Sequence, residues 1–271
     1  MKNFLLRHFL KKNKRFKKIY NKEICYIFGN GSSIKYINLD DFLNHKSISI
    51  NFMNLHKDFG NLNICGHVIP EPFFFFDYFK HPYTNKFHEN ILGKLFKNKI
   101  KEYPNIDIFT SISNMFFAPT KNTNYFHHFG ERLPNKDICD LDYKFSFMAG
   151  GLHAAIGIAI YFGFSKAILV GCDYLYTPKR FGHFYSTKST SSEVDKTNPY
   201  QDLLRNAQEL IDLEILSIDG SSSEWLRSID YNSISSKKPV YKENFELVDS
   251  YTLEELHRAY EAKLLFQKVK F

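Results

Sequence analysis

Residues 24–35 read ICYIFGNGSSIK, an apolar run that ends at Gly29-Asn30-Gly31 and continues into two serines. A short continuous apolar run bounded by glycine is typical of a strand buried on both faces of a parallel sheet. Glycine lets the backbone approach a ligand closely, and asparagine offers a hydrogen-bond donor and an acceptor without charge. The stretch predicts the first strand of an α/β fold, ending in a turn that either is merely tight or contacts a ligand.

The clearest later unit is residues 148–163, a helix of small residues that is apolar nearly all round and therefore predicted to be buried. Gly163 suits the position just after a helix, and residues 167–171 follow as a strand. Strand, helix and strand at this spacing predict parallel strands joined by right-handed crossovers. We therefore predict the α/β class, as a single Rossmann-like domain with a mostly parallel sheet. Further strands are predicted at residues 47–53, 64–69, 107–111 and 214–218.

Three segments divide the chain. Residues 1–22 are predicted to be a basic amphipathic extension, residues 23–235 the main domain, and residues 236–271 a C-terminal helical extension. The helix of that extension is expected to open at Thr252-Leu253-Glu254-Glu255, which has the form of a capping box. The polar run at residues 187–198 lacks apolar anchors and predicts a mobile lid loop over about residues 177–200.

The net charge of +7 is concentrated in the first 22 residues, which hold nine Lys and Arg residues and no acidic residue. The remaining 27 basic residues face 29 acidic ones, whereas a nucleic-acid-binding domain carries its basic stripe on the fold itself. The segment either lies on an anionic membrane surface or packs on the body as a solvated helix. No run of 18 apolar residues is present. We expect a cytoplasmic protein, peripheral on the membrane at most, without a nucleic-acid partner; an oligomer stays open.

The sequence predicts no metal site. Adjacent histidines such as His127-His128 are rarely both ligands, and no cysteine or carboxylate spacing supports them. The cysteines are scattered without CxxC spacing and are predicted to be reduced and structural. They are Cys25, Cys65, Cys139 and Cys172.

Glycine and asparagine recur at several predicted strand ends and at the start of the buried helix. Ligands of open parallel sheets bind outside the carboxyl ends of the strands, and a helix N-terminus suits a phosphate. This pattern is neither GxGxxG nor a P-loop, but its repetition predicts a nucleotide site. The candidate binding residues are Gly29, Asn30, Gly31, Ser32, Asn51, Gly150, Gly151, Gly171, Asp173 and Tyr174.

A second group of polar residues follows the strand at 167–171. Tyr176 and Tyr185 could donate hydrogen bonds to a leaving phosphate, and Lys179 and Arg180 could neutralise it. His183 titrates near neutral pH and could take a proton from an acceptor hydroxyl. The alternative is that the tyrosines are a packed cluster and His183 is an ordinary loop histidine.

Three stretches, FGNGSSIKYINLDDF, SISINFM and GGLHAAIGIAIYFGFSKAILVGCDYLY, resemble the core of the bacterial sialyltransferases of glycosyltransferase family 42. The resemblance implies a variant of the GT-A fold with a lid over the donor, CMP-activated sialic acid as donor, and no cofactor or metal. It implies that Asn30 and Asn51 hold the nucleotide and donor, that Gly151 lies near the cytidine, and that Asp173 belongs to the family's Gly-x-Asp. Tyr176 or Tyr185 would bind the leaving phosphate, and His183 would be the catalytic base.

The resemblance implies transfer of sialic acid or a related acidic sugar from a CMP donor to a glycan hydroxyl of surface polysaccharide or lipooligosaccharide, with inversion. This chain departs from the family pattern where Phe147-Met148-Ala149 replaces an arginine before Ser-Gly and where Pro70-Glu71 replaces an asparagine.

Three alternatives stay open. Asp140-Leu141-Asp142 has the DxD form that would hold a divalent ion in a UDP-sugar transferase, although no apolar strand precedes it. The same fold signals would also fit a pterin pyrophosphokinase-like transferase. A protein of envelope assembly with a decayed nucleotide site is the non-catalytic alternative.

Overall fold

The structure of the chain, a computed structural model, describes residues 7, 9–71, 86–115, 121–127, 139–147, 150–187, 190–192 and 201–268. The strands in these residues are β1 Ile24–Phe28, β2 Lys46–Ile50, β3 Asn63–Val68, β4 Ile108–Ser111, β5 Thr123–Phe126, β6 Lys166–Val170, β7 Lys179–Phe181, β8 Thr190–Ser192, β9 Asp212–Ser217 and β10 Arg227–Asp230. The α-helices are α1 Lys86–Glu102, α2 Gly151–Phe162, α3 Gln201–Gln208, α4 Asn244–Leu247 and α5 Ser250–Lys268.

Eight of the described strands form one sheet in the order β10-β9-β6-β1-β2-β3-β4-β5, and every neighbouring pair is parallel. The prediction of an α/β fold with a mostly parallel sheet is confirmed. The chain builds the sheet outward from β1 to β5 and then returns to the other side of β1 with β6. The strand order therefore reverses between β1 and β6, and such a reversal opens a crevice at the carboxyl ends of the two strands.

Strand β1 lies in the middle of the sheet, and its side chains alternate between two apolar cores. Cys25 and Ile27 belong to the core that contains α2, while Tyr26 and Phe28 belong to the core on the opposite face. Successive strand residues point to opposite faces, so a central strand covered on both sides needs an unbroken apolar run. That requirement explains why all five residues of β1, ICYIF, are apolar or aromatic.

Helix α2 is the buried helix that the sequence predicts, and it packs against β1, β2 and β3. Eleven of its twelve residues are buried. It ends at Gly163, which adopts φ +90° and donates its N–H to the carbonyls of Ala159 and Ile160. This geometry is the left-handed helix end that glycine favours.

The basic N-terminal segment packs on the body from residue 9 onward. Leu10 and Phe16 are buried, and Asn13 donates from its side-chain amide to the carbonyls of Tyr125 and Leu141 at 2.6 and 2.7 Å. Leu10 and Phe16 are covered by protein, whereas Phe9 and Ile19 of the same segment remain about half exposed, so the contact with a membrane surface stays a prediction. Residues 1–6 lie outside the described part of the chain.

Helix α5 forms as predicted and packs against α1, but its N-terminus differs from the prediction. It begins at Ser250, and Asp249 caps it by accepting the backbone N–H of Thr252 at 2.8 Å. The predicted capping box at Thr252 is therefore wrong. The reciprocal box lies one element earlier, between Glu243 and Glu246 at the start of α4.

The region predicted as a mobile lid contains a two-stranded antiparallel pair, β7 with β8. Residues 188, 189 and 193–200 lie outside the described part, so the mobility of the lid stays a prediction. Strand β5 is not among the strands that the sequence predicts. In the described residues, no helix combines the length and apolar character needed to cross a bilayer.

Candidate functional site

A cavity of about 220 Å³ opens at the reversal of strand order, outside the carboxyl ends of β1, β2 and β6 and beside the N-terminus of α2. It is where open parallel sheets bind their ligands. Ile50, Leu152, Cys172, Phe181 and Gly182 contribute to its wall without having been predicted. Ten predicted residues line it, namely Gly29, Asn30, Gly31, Asn51, Gly151, Gly171, Asp173, Tyr174, Arg180 and His183.

The glycines after β1 allow its end to approach the end of β6. The N–H of Gly29 donates to the carbonyl of Val170 at 2.7 Å, and the N–H of Gly31 donates to the carbonyl of Gly171 at 2.8 Å. A Cβ atom on Gly29 would lie 2.6 Å from the Gly171 carbonyl oxygen, closer than real Cβ atoms come. Backbone packing within the protein therefore already requires this glycine, without any ligand.

Asp173 holds the turn after β1 in place. Its buried carboxylate accepts hydrogen bonds from the backbone N–H of Ser33 at 2.7 Å, from the hydroxyl of Ser32 at 3.1 Å and from the hydroxyl of Ser33. Burial raises the pKa of Asp173, while the serines and the charge of Arg180 act in the opposite direction. The hydroxyl of Ser32 donates to Asp173, and Ser32 does not line the cavity.

Asn30 stands between the turn and the segment that carries His183. Its carbonyl accepts the N–H of Phe184 at 3.1 Å, and Gly31 pairs with His183 as an isolated antiparallel bridge. The Asn30 side-chain oxygen Oδ1 is buried and has no hydrogen-bond partner in the described residues. A buried polar atom without a partner costs roughly 1–3 kcal/mol, and at the wall of a cavity a bound ligand or an ordered water supplies the missing hydrogen bond.

Asn51 lies at the carboxyl end of β2 in a left-handed backbone conformation with φ +47°. Its side-chain Nδ2 donates to Oε1 of Glu71 at 3.4 Å, and its Oδ1 is buried without a partner. Gly151 lies so close that an added Cβ would be 3.2 Å from Asn51 Nδ2 and would overlap Ile50. Strained backbone at non-glycine residues clusters at functional sites, and this residue combines strain with an unused polar atom.

The carboxyl group of Glu71 also has a buried oxygen, Oε2, without a partner. Burial raises the pKa of Glu71 to about 7, and hydrogen bonds from its own backbone and from Asn51 act in the opposite direction. Glu71 therefore changes its charge near neutral pH, directly beside a residue that lines the cavity.

His183 lies at the wall of the cavity with its ring stacked on that of Tyr185, the centroids 4.9 Å apart. The ring of Tyr185 in turn packs edge-on against Phe52 at 5.4 Å. His183 is exposed to solvent, yet the protein atoms around it lower its pKa, while a hydrogen bond with the backbone of Asn30 acts in the opposite direction. The neutral imidazole is thereby favoured, which is the form that accepts a proton.

Two positive features face the cavity. The N-terminus of α2 reaches it through Gly151 and Leu152, and the first N–H groups of a helix have no partner inside the helix. Arg180 also lines the cavity, while its guanidinium bonds the carboxylate of Asp219 and, at 2.7 Å, the hydroxyl of Ser221. Both features favour an anionic group.

Four predicted site residues besides Ser32 do not line the cavity, namely Gly150, Tyr176, Lys179 and Tyr185. Tyr176 is buried and donates its hydroxyl to the carbonyl of Leu216, so it is not available to a leaving phosphate. Tyr185 supports the ring of His183 instead. Gly150 precedes α2 with φ +133° and open space around it, so its backbone conformation alone accounts for the glycine.

The Asp140-Leu141-Asp142 stretch is separate from the cavity. Lys14 and Lys17 lie 3.8 Å from the carboxylates of Asp142 and Asp140. The stretch therefore takes part in docking the N-terminal segment. Within the described residues, no three His, Cys, Asp or Glu side chains converge as metal ligands would, and His128 lies outside them.

All four cysteines are free thiols, as predicted.

Comparison of the chain with protein-family models, with curated proteins and with solved structures gives no match.

Proposed function

We propose that the protein is a glycosyltransferase that takes sialic acid or a related acidic sugar from a CMP-activated donor and attaches it to a glycan hydroxyl. The acceptor would be a surface polysaccharide or lipooligosaccharide, assembled in the cytoplasm or at the inner face of the membrane. The observation that carries the proposal is the pair Asn30 and Asn51. Both line the cavity at the strand reversal, and each buries an amide oxygen that no described protein group satisfies.

The position of the amides suits a nucleotide. Asparagine can both donate to and accept from a base or a ribose, and the helix N-terminus beside Asn51 suits the phosphate. The carboxylate of Asp173 is occupied by the turn, so Asp173 would act by shaping the cavity rather than by contacting the donor.

The proposed reaction is a direct displacement with inversion. His183 would accept the proton of the acceptor hydroxyl while that oxygen attacks the anomeric carbon and CMP leaves. The charge that develops on the leaving phosphate would be stabilised by the N–H groups at the start of α2 and by Arg180. This assignment replaces the tyrosines that the sequence suggested for the phosphate.

The first test is thermal unfolding with CMP, CDP, UDP, GDP and ATP, each with and without EDTA. A ligand at a hundred times its dissociation constant stabilises a protein by about 2.7 kcal/mol, a readily measured shift. The proposal expects a shift with CMP that is unchanged by EDTA. A metal-dependent shift with UDP alone, or a response to ATP alone, would contradict it. CMP binding without turnover of any CMP-sugar would instead favour a non-catalytic nucleotide-binding protein.

A further inference from the structure

Two neighbouring strand ends place an amide and a carboxyl side by side. Strands β2 and β3 are parallel, with Ile50 opposite Val68. Asn51 follows directly on β2, and Glu71 comes three residues after β3. Because both strands end at the same edge, the two side chains meet there, and Asn51 Nδ2 donates to Glu71 Oε1 at 3.4 Å.

The backbone and its surroundings confine the Asn51 side chain to this place. The residue adopts φ +47°, a conformation that L-amino acids other than glycine adopt infrequently. On one side it meets Gly151 at the start of α2, where a Cβ atom would lie 3.2 Å from its Nδ2. On the other side it meets Glu71. The absence of a side chain at Gly151 therefore leaves the room that the amide occupies beside the carboxyl.

The hydrogen bond between the Asn51 amide and the Glu71 carboxyl leaves one oxygen atom of each group without a hydrogen-bond partner. Oδ1 of Asn51 and Oε2 of Glu71 are buried and unpaired in the described residues. When Glu71 is ionised, both of these atoms accept hydrogen bonds, and no described residue donates one to either. The complementary ligand is therefore a group that donates hydrogen bonds, such as a hydroxyl or an amine.

We propose that Glu71 and Asn51 together accept hydrogen bonds from hydroxyl or amino groups of the sugar part of the bound nucleotide sugar, and that Glu71 determines which sugar is accepted. The inference rests on the proposed function for the identity of the ligand as a nucleotide sugar. It adds Glu71, which lies one hydrogen bond from the cavity-lining residue Asn51, as a specificity-determining residue at the edge of the cavity.

The proposal also orients the sugar. An ionised Glu71 repels a carboxylate, so an acidic sugar would turn its hydroxyl-bearing side toward Glu71 and its carboxylate away. The positive end of α2 and Arg180 offer the favourable place for that negative charge.

The test is titration calorimetry of the wild type and of Glu71→Gln with CMP and with CMP-, UDP- and GDP-activated sugars. Glutamine keeps the shape of the side chain and an oxygen for Asn51 but removes the charge. The control is Glu224→Gln, which makes the same change of charge at an exposed residue. Because a hydrogen bond to a charged group is stronger than a neutral one, we expect at least a tenfold loss of affinity for the nucleotide sugar and less than a twofold change for CMP. The control should change neither.

A deoxy sugar identifies the contact itself. Among analogues that each lack one hydroxyl, one should bind the wild type about tenfold more weakly than the complete sugar does. The same analogue and the complete sugar should bind Glu71→Gln with equal affinity. An equal loss for CMP and for the nucleotide sugar would show a structural role and overturn the inference, as would no loss for either. If Glu71→Gln does not fold, Glu71→Asp, which draws the carboxylate back, is expected to shift the sugar preference while CMP affinity is kept.

The outcomes separate the two proposals. Binding of a UDP- or GDP-sugar in place of CMP-sugars, with the same dependence on Glu71, would contradict the CMP donor and support Glu71. Binding of CMP-sugars without dependence on Glu71 would support the CMP donor and contradict the role of Glu71. Failure of the wild type to bind any nucleotide sugar would overturn both.

Discussion

Replacing Gly31 by alanine tests the structural account of the turn after β1. Gly31 has φ −62° and ψ 161°, an extended conformation that alanine adopts without strain. At such a position the change from glycine normally stabilises a protein by about 0.4–1 kcal/mol, because it restricts the unfolded chain. The surroundings of Gly31 predict the opposite sign. A Cβ atom there would lie 2.6 Å from Oδ2 of Asp173, so the carboxylate has to move.

The cost follows from what Asp173 holds. Its carboxylate accepts from the N–H and hydroxyl of Ser33 and from the hydroxyl of Ser32, all in a buried place. A hydrogen bond to a charged group contributes about 1.5–3 kcal/mol, so a displacement that breaks two of them costs at least about 3 kcal/mol. After the gain from the unfolded chain is subtracted, we expect Gly31→Ala to lower the free energy of unfolding by at least about 2 kcal/mol.

Urea unfolding measures this difference, and two controls define its cause. Gly220 has φ +77° and open space around it, so Gly220→Ala meets only backbone strain and should cost about 1 kcal/mol. In an Asp173→Ala background the obstacle is gone, and Gly31→Ala should then cost nothing, giving a coupling energy above about 2 kcal/mol. Equal losses for Gly31→Ala in both backgrounds, or a stabilised Gly31→Ala, would refute the reasoning.

Four further predictions concern the site and the N-terminal segment. His183→Ala should keep CMP affinity and lower turnover about a hundredfold, as loss of a general base does; unchanged turnover would place the base elsewhere. Asn51→Gly should raise the free energy of unfolding by about 1 kcal/mol through relief of the strain at φ +47° while weakening ligand binding, and a loss of stability would contradict the strain. The pKa of Glu71 is raised to about 7, so the wild type should lose up to roughly 3 kcal/mol relative to Glu71→Gln as the pH rises from about 4.5 to 8, and parallel pH profiles of urea unfolding would contradict this. Asn13→Ala leaves two carbonyls unpaired and should cost about 2–3 kcal/mol in the same assay, whereas a loss below about 0.5 kcal/mol would mean that the segment is not held by Asn13.

The sequence predicts the centre of the sheet well because the centre is the most strongly patterned part. β1 is an unbroken apolar run, β6 is apolar after Lys166, and α2 is apolar on nearly all sides because it is covered on nearly all sides. Edge strands lack this signal. β10 exposes three of its four residues, and its sequence RSID contains no apolar run, so local composition gives no reason to expect it.

The site is predictable in its strand ends and less so in its side-chain directions. That β1, β2 and β6 end together follows from the parallel arrangement alone. Whether a tyrosine four or six residues beyond β6 faces the cavity depends on the turn after the strand, where Cys172 has φ and ψ of −102° and 50° that the sequence does not reveal. Tyr174 lines the cavity and Tyr176 is buried in the core, although the sequence predicts that both face the site.

The sequence alone leaves open whether Gly29-Asn30-Gly31 forms a tight turn or contacts a ligand. In the structure the glycines are explained by the turn, and the asparagine is not. The two glycines are explained by the approach of β6 and of Asp173, so they provide no argument for a ligand. Asn30 is different, because its side-chain oxygen Oδ1 is buried without a described protein partner. The same separation applies at β2, where a glycine would relieve the backbone at Asn51 and yet an asparagine stands there. Residues that the protein's own packing does not require are the ones that point to a ligand, and here they are the amides and Glu71 rather than the glycines.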